Sequence, residues 1–140
     1  MLLLDTNVIS ELRKSKTGKI NPNVERWAMS VLATDLFLSV ITLLELEMGI
    51  GLIERRDLAQ ARLLRTWLNS YVLPAFEHRI LDVDSAIALR CGQLHVPDPC
   101  SDRDALISAT ALVHGMTVVT RNVDDFSPTG VRILNPWETL

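Results

Sequence analysis

The chain has 140 residues, of which 48% are hydrophobic and 22% are charged, and its formal net charge at pH 7 is −3. This length and composition indicate a soluble globular protein with one core, so we expect a single domain over residues 1–140. The longest apolar stretch, residues 37–44, is too short to cross a membrane, and the apolar opening ends at Asp5, which argues against a signal peptide.

The negative charge argues against a simple nucleic-acid binder, whose binding surface is usually basic. That argument weakens if some carboxylates hold divalent cations, because each such cation offsets two negative charges. Cys91 and Cys100 are the only cysteines, and their spacing does not match a zinc site. We therefore expect reduced thiols in a cytoplasmic protein, with no membrane partner.

The first predicted element is a strand formed by the apolar residues 1–4. A continuous apolar run is typical of a strand that is buried on both faces, as in a parallel sheet. Asp5 then lies at the carboxyl end of this strand, and Thr6 or Asn7 is placed to cap the helix that follows. Ligands bind at this edge of an open α/β sheet, although an aspartate here is equally compatible with a capping role alone.

Strands and helices alternate along the rest of the chain. Further strands are predicted at residues 36–40, 79–83, 116–120 and 131–134. Helices are predicted from residue 21 or 23 to about 33, at 42–53, at 57–71, from 84 or 85 to 94, and at 105–114. The helix at 57–71 is amphipathic, and Pro74 is expected to end it. This alternation predicts an α/β fold with a mostly parallel sheet of four or five strands.

Acidic residues interrupt the apolar elements at a few positions, namely Asp5, Glu45, Asp104, Asp124 and Asp125. In a right-handed α/β sheet, strand ends and the following helix starts share one edge, so several of these carboxylates are expected to converge there. Together they repel one another, and the sequence places no matching cluster of lysines or arginines among them. A hard cation such as Mg²⁺ or Mn²⁺ removes this repulsion.

Such a metal site would support phosphodiester hydrolysis.

The periodicity of the sequence does not show whether Glu45 or Glu47 faces this site, because the helix that carries both is apolar on all sides.

Four segments, in this order and at this spacing, carry a resemblance to a known family: residues 3–12, 39–46, 104–111 and 120–126. They resemble PIN-domain ribonucleases, and most closely the VapC/FitB-type toxins of toxin–antitoxin pairs. The resemblance extends to the closing Asn135-Pro136-Trp137. It implies a three-layer α/β/α sandwich, an endoribonuclease that depends on Mg²⁺ or Mn²⁺, a homodimer, and inhibition by a small antitoxin.

Carried over by position, the resemblance makes Asp5, Glu45 and Asp104 the catalytic and metal-binding triad. The fourth acidic position of the family falls on Asn122, which can donate an oxygen or order a water but supplies no charge. A second tightly held metal ion is therefore expected only if Asp124 or Asp125 takes this place.

Three further residues have alternative roles at this edge. Thr6 and Thr120 either position ligands or phosphate through their hydroxyl groups or serve in caps and turns. Arg121 is either a phosphate contact or a surface charge.

An anionic metal pocket is also expected to attract a basic residue of the antitoxin. The helix at 57–71, with the apolar helix before it, is expected to form the surface of the homodimer.

Two other functions remain open. A phosphohydrolase could use Asp5 as a covalent nucleophile, but such enzymes carry a second aspartate two residues later, where this chain has Asn7. A catalytically inactive module could keep the fold to bind RNA or a protein. The intact triad argues against this reading, because an inactive copy gains nothing from clustered carboxylates.

Overall fold

The computed structural model describes residues 1–138. Five strands form one sheet in the order β3–β2–β1–β4–β5, and every neighbouring pair is parallel. The strands are β1 (Leu2–Leu4), β2 (Leu36–Ser39), β3 (Ile80–Leu81), β4 (Thr117–Val119) and β5 (Ile133–Leu134). The predicted α/β fold with a parallel sheet is confirmed. The predicted domain also includes residues 139 and 140, which lie outside the described residues.

Strand order reverses at β1, the central strand. From β1 the chain moves through β2 to β3 at one side of the sheet, and then returns to β4 at the other side of β1. In the register, Leu3 of β1 lies opposite Phe37 of β2 and Val118 of β4. The carboxyl ends of β1 and β4 therefore flank the switch point where open α/β sheets bind ligands.

Helices cover both faces of the sheet. They are α1 (Thr6–Leu12), α2 (Pro22–Ser30), α3 (Val40–Glu54), α4 (Leu58–Trp67), α5 (Leu73–Ala75), α6 (Ser85–Leu94), α7 (Asp102–His114) and α8 (Val123–Phe126). Successive strand side chains point to opposite faces. Leu4 and Val119 accordingly pack with α1, α3 and α4, whereas Leu3 and Val118 pack with α7 and α8. This arrangement confirms the three-layer sandwich.

The strands β1 and β2 pass directly into helices at their carboxyl ends. Val40, predicted as the last residue of the second strand, is instead the first residue of α3, because the Ser39 hydroxyl accepts a hydrogen bond from the Ile41 N–H at 3.0 Å. Asp5, and not Thr6 or Asn7, caps α1: its Oδ1 accepts the Thr6 N–H at 2.8 Å. This cap holds Asp5 at the end of β1.

The amphipathic helix does not end at Pro74 as predicted. A π turn at Leu68–Val72 joins α4 to α5, and Pro74 lies in the first turn of α5. Because these three elements are continuous, Pro74 lies within a helical run, and the hydrogen-bond pattern of that run changes at the π turn directly before it. Within residues 1–138, the helices are too short or too polar for any of them to cross a membrane.

Candidate active site

A cleft of about 470 Å³ opens beside the carboxyl ends of β1 and β4. Its acidic lining residues are Asp5, Glu11, Glu45 and Asp104, its basic ones are Arg13, Lys14 and Arg121, and Thr6, Asn7, Ser10, Asn122 and Trp137 complete it. The three acidic residues predicted to converge therefore share one cleft with Asn122.

Asp5 is 5% exposed and is held by three donors. The Thr6 N–H binds its Oδ1, while the Thr120 hydroxyl, at 2.7 Å, and the Asn7 amide, at 3.3 Å, bind its Oδ2. Burial raises the pKa of Asp5, and the nearby charge of Glu45 adds to this, whereas the bonds from Thr120 and Thr6 act to lower the pKa. Asp5 therefore has both a capping role and a fixed position in the cleft.

Thr6 connects two of the carboxylates. Its N–H donates to Asp5, and its hydroxyl donates to Oε1 of Glu45 at 2.7 Å. Glu45 lies on α3, two turns after β2, and Glu47 on the same helix is exposed and forms an ion pair with Arg65. The structure thus separates the two glutamates that periodicity could not, and it is Glu45 that faces the cleft.

Thr120 connects Asp5 to the segment after β4. Its fully buried hydroxyl donates to Asp5 and accepts the Asn122 N–H at 3.0 Å. Both threonines that the sequence marks as possible positioning residues therefore donate a hydroxyl hydrogen bond to a carboxylate of the cleft. Asn122 lines the cleft at the fourth acidic position of the predicted set.

Asp104 carries the clearest sign of crowded negative charge. Burial, followed by the charges of Asp5, Asp125 and Glu45, raises the pKa of Asp104 to about 6. The positive charge of Arg103 acts in the opposite direction. The carboxylates thus lie close enough together to oppose one another's ionisation.

Asp124 and Asp125 lie in α8 and line a second cleft of about 500 Å³, which also borders Asn122. The charge of Asp125 contributes to the raised pKa of both Asp5 and Asp104. Asp125 is therefore the acid of this pair that acts on the first cleft.

As the side chains stand in the described part of the chain, no three histidine, cysteine, aspartate or glutamate side chains are close enough to hold one metal ion. The oxygen donors nevertheless have free capacity. In residues 1–138 the Asp104 carboxylate accepts no hydrogen bond, and Oε2 of Glu45 has only Arg103 nearby, at 3.8 Å. Side-chain rotations would be needed to bring these oxygens onto a common ion.

The sequence shows no matching cluster of lysines or arginines among the carboxylates, but the fold brings separate basic residues to the cleft. Arg103 contacts Glu45, and Arg13, Lys14 and Arg121 line the cleft. The sequence carries part of this signal, because Arg13 and Lys14 directly follow α1 and so lie near the cleft that begins at Asp5. The contacts of Arg103 and Arg121 depend on tertiary packing, for which the sequence gives no such pattern.

Comparisons with known proteins agree with the fold. A family model described as "PIN domain" matches residues 2–130. The chain is 36% identical over 146 residues to VapC ribonuclease Y4jK of Sinorhizobium fredii, with 99% of each chain covered. It is 34% identical over 142 residues to toxin FitB of Neisseria gonorrhoeae, covering 98% of this chain and 99% of that one. The crystal structure of FitAcB from Neisseria gonorrhoeae has a TM-score of 0.88 at 34% identity, covering 99% of this chain and 100% of that one.

Proposed function

Because this chain belongs to the PIN-domain family, we propose that it is a metal-dependent endoribonuclease and the toxin of a toxin–antitoxin pair. Full-length relatives named as a ribonuclease and as a toxin support the two halves of this proposal. The observation that carries it is the convergence of Asp5, Glu45 and Asp104 in one cleft, where burial and then the neighbouring acidic charges raise the pKa of Asp104 to about 6. An RNA substrate and two free cysteines also fit a cytoplasmic protein.

The donor set suits a hard divalent cation. Asp5, Glu45 and Asp104 would hold Mg²⁺ or Mn²⁺ through carboxylate oxygens, which these ions prefer. When bound, the ion would lower the pKa of an attacking water and stabilise charge on the phosphate. Asn122 adds an amide in place of a fourth carboxylate, so the chain offers three formal charges to this set and favours one tightly held ion.

The surrounding side chains fix the carboxylates in place. Thr6 and Thr120 each donate a 2.7 Å hydrogen bond, to Glu45 and Asp5 respectively, and so restrict the rotation of both acids. Residues that orient metal ligands in this way commonly change metal affinity or activity 10- to 100-fold when they are removed, by order of magnitude. Thr6 and Thr120 are therefore positioning residues in this proposal.

The two alternative functions are less well supported. An inactive binding module does not need partly buried, mutually repelling carboxylates, and burial followed by this repulsion raises the pKa of Asp104. A covalent phosphohydrolase needs Asp5 as a free nucleophile, but three hydrogen bonds occupy its carboxylate and Asn7 donates one of them.

Incubating the protein with total RNA and mapping the new ends tests the function directly. We expect internal cuts in Mg²⁺ or Mn²⁺ and none in EDTA. Cleavage that persists in EDTA would contradict a metal-dependent mechanism, and an aspartyl-phosphate trapped on Asp5 would favour the phosphohydrolase.

The surface predicted to form a homodimer lies on α3 and α4. Three apolar side chains of α3 at four-residue spacing, Leu44, Met48 and Leu52, are 44%, 49% and 65% exposed, and Leu63 of α4 is 67% exposed. Such a stripe is costly in a monomer, and a twofold symmetric contact would bury it on both copies.

We expect Leu52→Asp to convert the dimer into a monomer at micromolar concentration, measured by light scattering. A charge at the centre of an apolar interface would be buried without a partner. Leu89→Asp is the matched control, since Leu89 is 71% exposed on α6 and should leave the dimer intact. Wild-type protein that is already monomeric would refute the interface.

The antitoxin is proposed to inhibit by placing a basic side chain in the acidic part of the cleft. An arginine can pair with a carboxylate through two hydrogen bonds, and Asp104 has no such partner among the described residues. We expect an inhibitory antitoxin peptide to lose most of its potency when its arginine is replaced by glutamine. Equal inhibition by both peptides in an RNA-cleavage assay would exclude this mode.

A further inference from the structure

Two arginines that line the cleft are held against aromatic rings and not against acids. The guanidinium carbon of Arg121 lies 5.4 Å from the centre of the Trp137 ring, and that of Arg13 lies 5.9 Å from the centre of the Trp67 ring. Within residues 1–138 neither arginine has a carboxylate within ion-pair distance, so their charge is available to an anionic ligand.

Arg121 is anchored directly beside the carboxylates. Its backbone N–H donates to Oδ1 of Asn7 at 3.3 Å, and the Asn7 amide donates in turn to Asp5. The preceding residue, Thr120, donates its hydroxyl to the same oxygen of Asp5. The backbone of Arg121 is therefore fixed beside the residues that hold Asp5.

An exposed guanidinium supported by a ring has two binding surfaces. Its N–H edge matches a phosphate, and its open flat face can stack on a nucleobase. Trp137 adds a cation–π attraction that favours this position of the Arg121 side chain. A base in a duplex has both faces covered by its neighbours, so such a platform selects an unpaired nucleotide.

The charged residues around the cleft indicate which way a bound RNA strand would run. Asp124 and Asp125 line the second cleft on one side of Arg121 and would repel phosphates. On the other side, α1 leads to Arg13 and Lys14, although Lys14 is paired with Glu11 at 3.1 Å. The favourable route for a polyanion therefore follows α1.

We propose that the Arg121–Trp137 pair binds one nucleotide of single-stranded RNA beside the carboxylates, and that the strand continues along α1 to the Arg13–Trp67 pair. This inference rests on the proposed ribonuclease function and identifies the side chains that bind the strand in the cleft. Arg121 binds the phosphate with its edge and the base with its face, and Trp137 is a positioning residue for Arg121.

The test measures binding and catalysis separately. Fluorescence anisotropy with a labelled single-stranded RNA of about 12 nucleotides, and with a blunt duplex of equal length, gives Kd in EDTA at several salt concentrations. Steady-state cleavage in Mg²⁺ gives kcat and KM. The variants are Arg121→Gln, Trp137→Leu and Trp137→Phe, and the control is Arg90→Gln, an exposed cation on α6 away from the cleft.

We expect wild type to bind the single strand more tightly than the duplex. Arg121→Gln should weaken single-strand binding about tenfold and reduce the slope of log K against log salt by about 0.7, the value for one lost phosphate contact. It should raise KM more than it lowers kcat. Trp137→Leu should weaken binding with a smaller change in slope, Trp137→Phe should restore most of the affinity, and Arg90→Gln should match wild type.

Folded Arg121→Gln with the wild-type Kd and salt slope would overturn the path while leaving the ribonuclease assignment intact. Equal binding of duplex and single strand would overturn it as well. Trp137 packs against the core, so Trp137→Leu is judged only if its thermal melt is cooperative, and Arg121→Gln decides the question otherwise. If wild type binds the single strand through Arg121 but cuts no RNA in any metal, the path stands and the nuclease function fails.

Discussion

Asp104→Asn is expected to lower metal-dependent RNA cleavage by about 100-fold or more, with the fold intact. The substitution nearly preserves the shape of the side chain and removes one negative charge from the proposed ligand set. The Asp104 carboxylate has no hydrogen-bond donor among residues 1–138, so its replacement disturbs no structural contact that the chain is seen to make. Activity is measured as initial cleavage rate in saturating Mg²⁺ or Mn²⁺, with circular dichroism to confirm folding.

Asp102→Asn is the matched control for this variant. Asp102 lies in the same first turn of α7, its side chain is 91% exposed, and it contacts only His95, at 3.3 Å. It should cleave RNA at the wild-type rate. Full activity in folded Asp104→Asn would remove Asp104 from the metal site, and equal losses in both variants would indicate an effect on the helix start and not on a ligand.

The positions of the carboxylates could be predicted because they depend on simple rules. Asp5 follows a continuous apolar run, and Asp104 opens an apolar helix, so the geometry of parallel strands brings both to one edge of the sheet. The same rules explain why an α/β fold with a parallel sheet could be predicted, whereas the three-layer sandwich was implied by the resemblance to the family. Each rule uses only neighbouring residues and a fixed handedness.

The choice between Glu45 and Glu47 could not be made in this way, because α3 is apolar around its whole circumference and gives no helical phase. The choice depends on two tertiary contacts, Thr6 with Glu45 and Arg65 with Glu47. The resemblance to the family selected Glu45, and it thus supplied information that the pattern of this single sequence does not contain.

The contacts of the basic residues that line the cleft could not be predicted, for a related reason. Arg13 meets Trp67, and Arg121 meets Trp137, across long stretches of chain. Two alternatives for Asp5, a helix cap or a ligand at a strand end, also proved not to exclude each other. One oxygen caps α1, while the carboxylate as a whole lies in the acidic cleft.

Wild type is expected to be less stable than Asp104→Asn without metal ions and more stable than it with them. Without metal, the pKa of Asp104 is raised to about 6 from its usual value of 3.8, so ionising this group destabilises the folded state. Between about pH 4 and pH 6 the folded state binds more protons than the unfolded state, and stability therefore falls as pH rises through this window. Above it the cost is fully present, and for this partly exposed group we expect it to be about 1 kcal/mol after solvent screening.

Thermal melts in EDTA should therefore show Asp104→Asn to be more stable than wild type at pH 7 and equal to it near pH 4. Asp5→Asn should not gain in the same way, because Asp5 accepts three hydrogen bonds and its amide replacement would face the Asn7 donor. This difference separates relief of repulsion from loss of a structural contact.

Adding metal should reverse the order at pH 7. An ion that binds only the folded state stabilises wild type by about 2.7 kcal/mol at a hundredfold excess over its Kd, which corresponds to a rise in Tm of about 10 °C. Asp104→Asn lacks one charged ligand and should gain only a small part of this, while Asp102→Asn should gain as much as wild type. If Asp104→Asn is less stable than wild type in EDTA, the charge of Asp104 does not oppose folding. If the Tm of Asp104→Asn rises in Mg²⁺ and Mn²⁺ as much as that of wild type, Asp104 is not a ligand. The ion is then held by Asp5 and Glu45 without it.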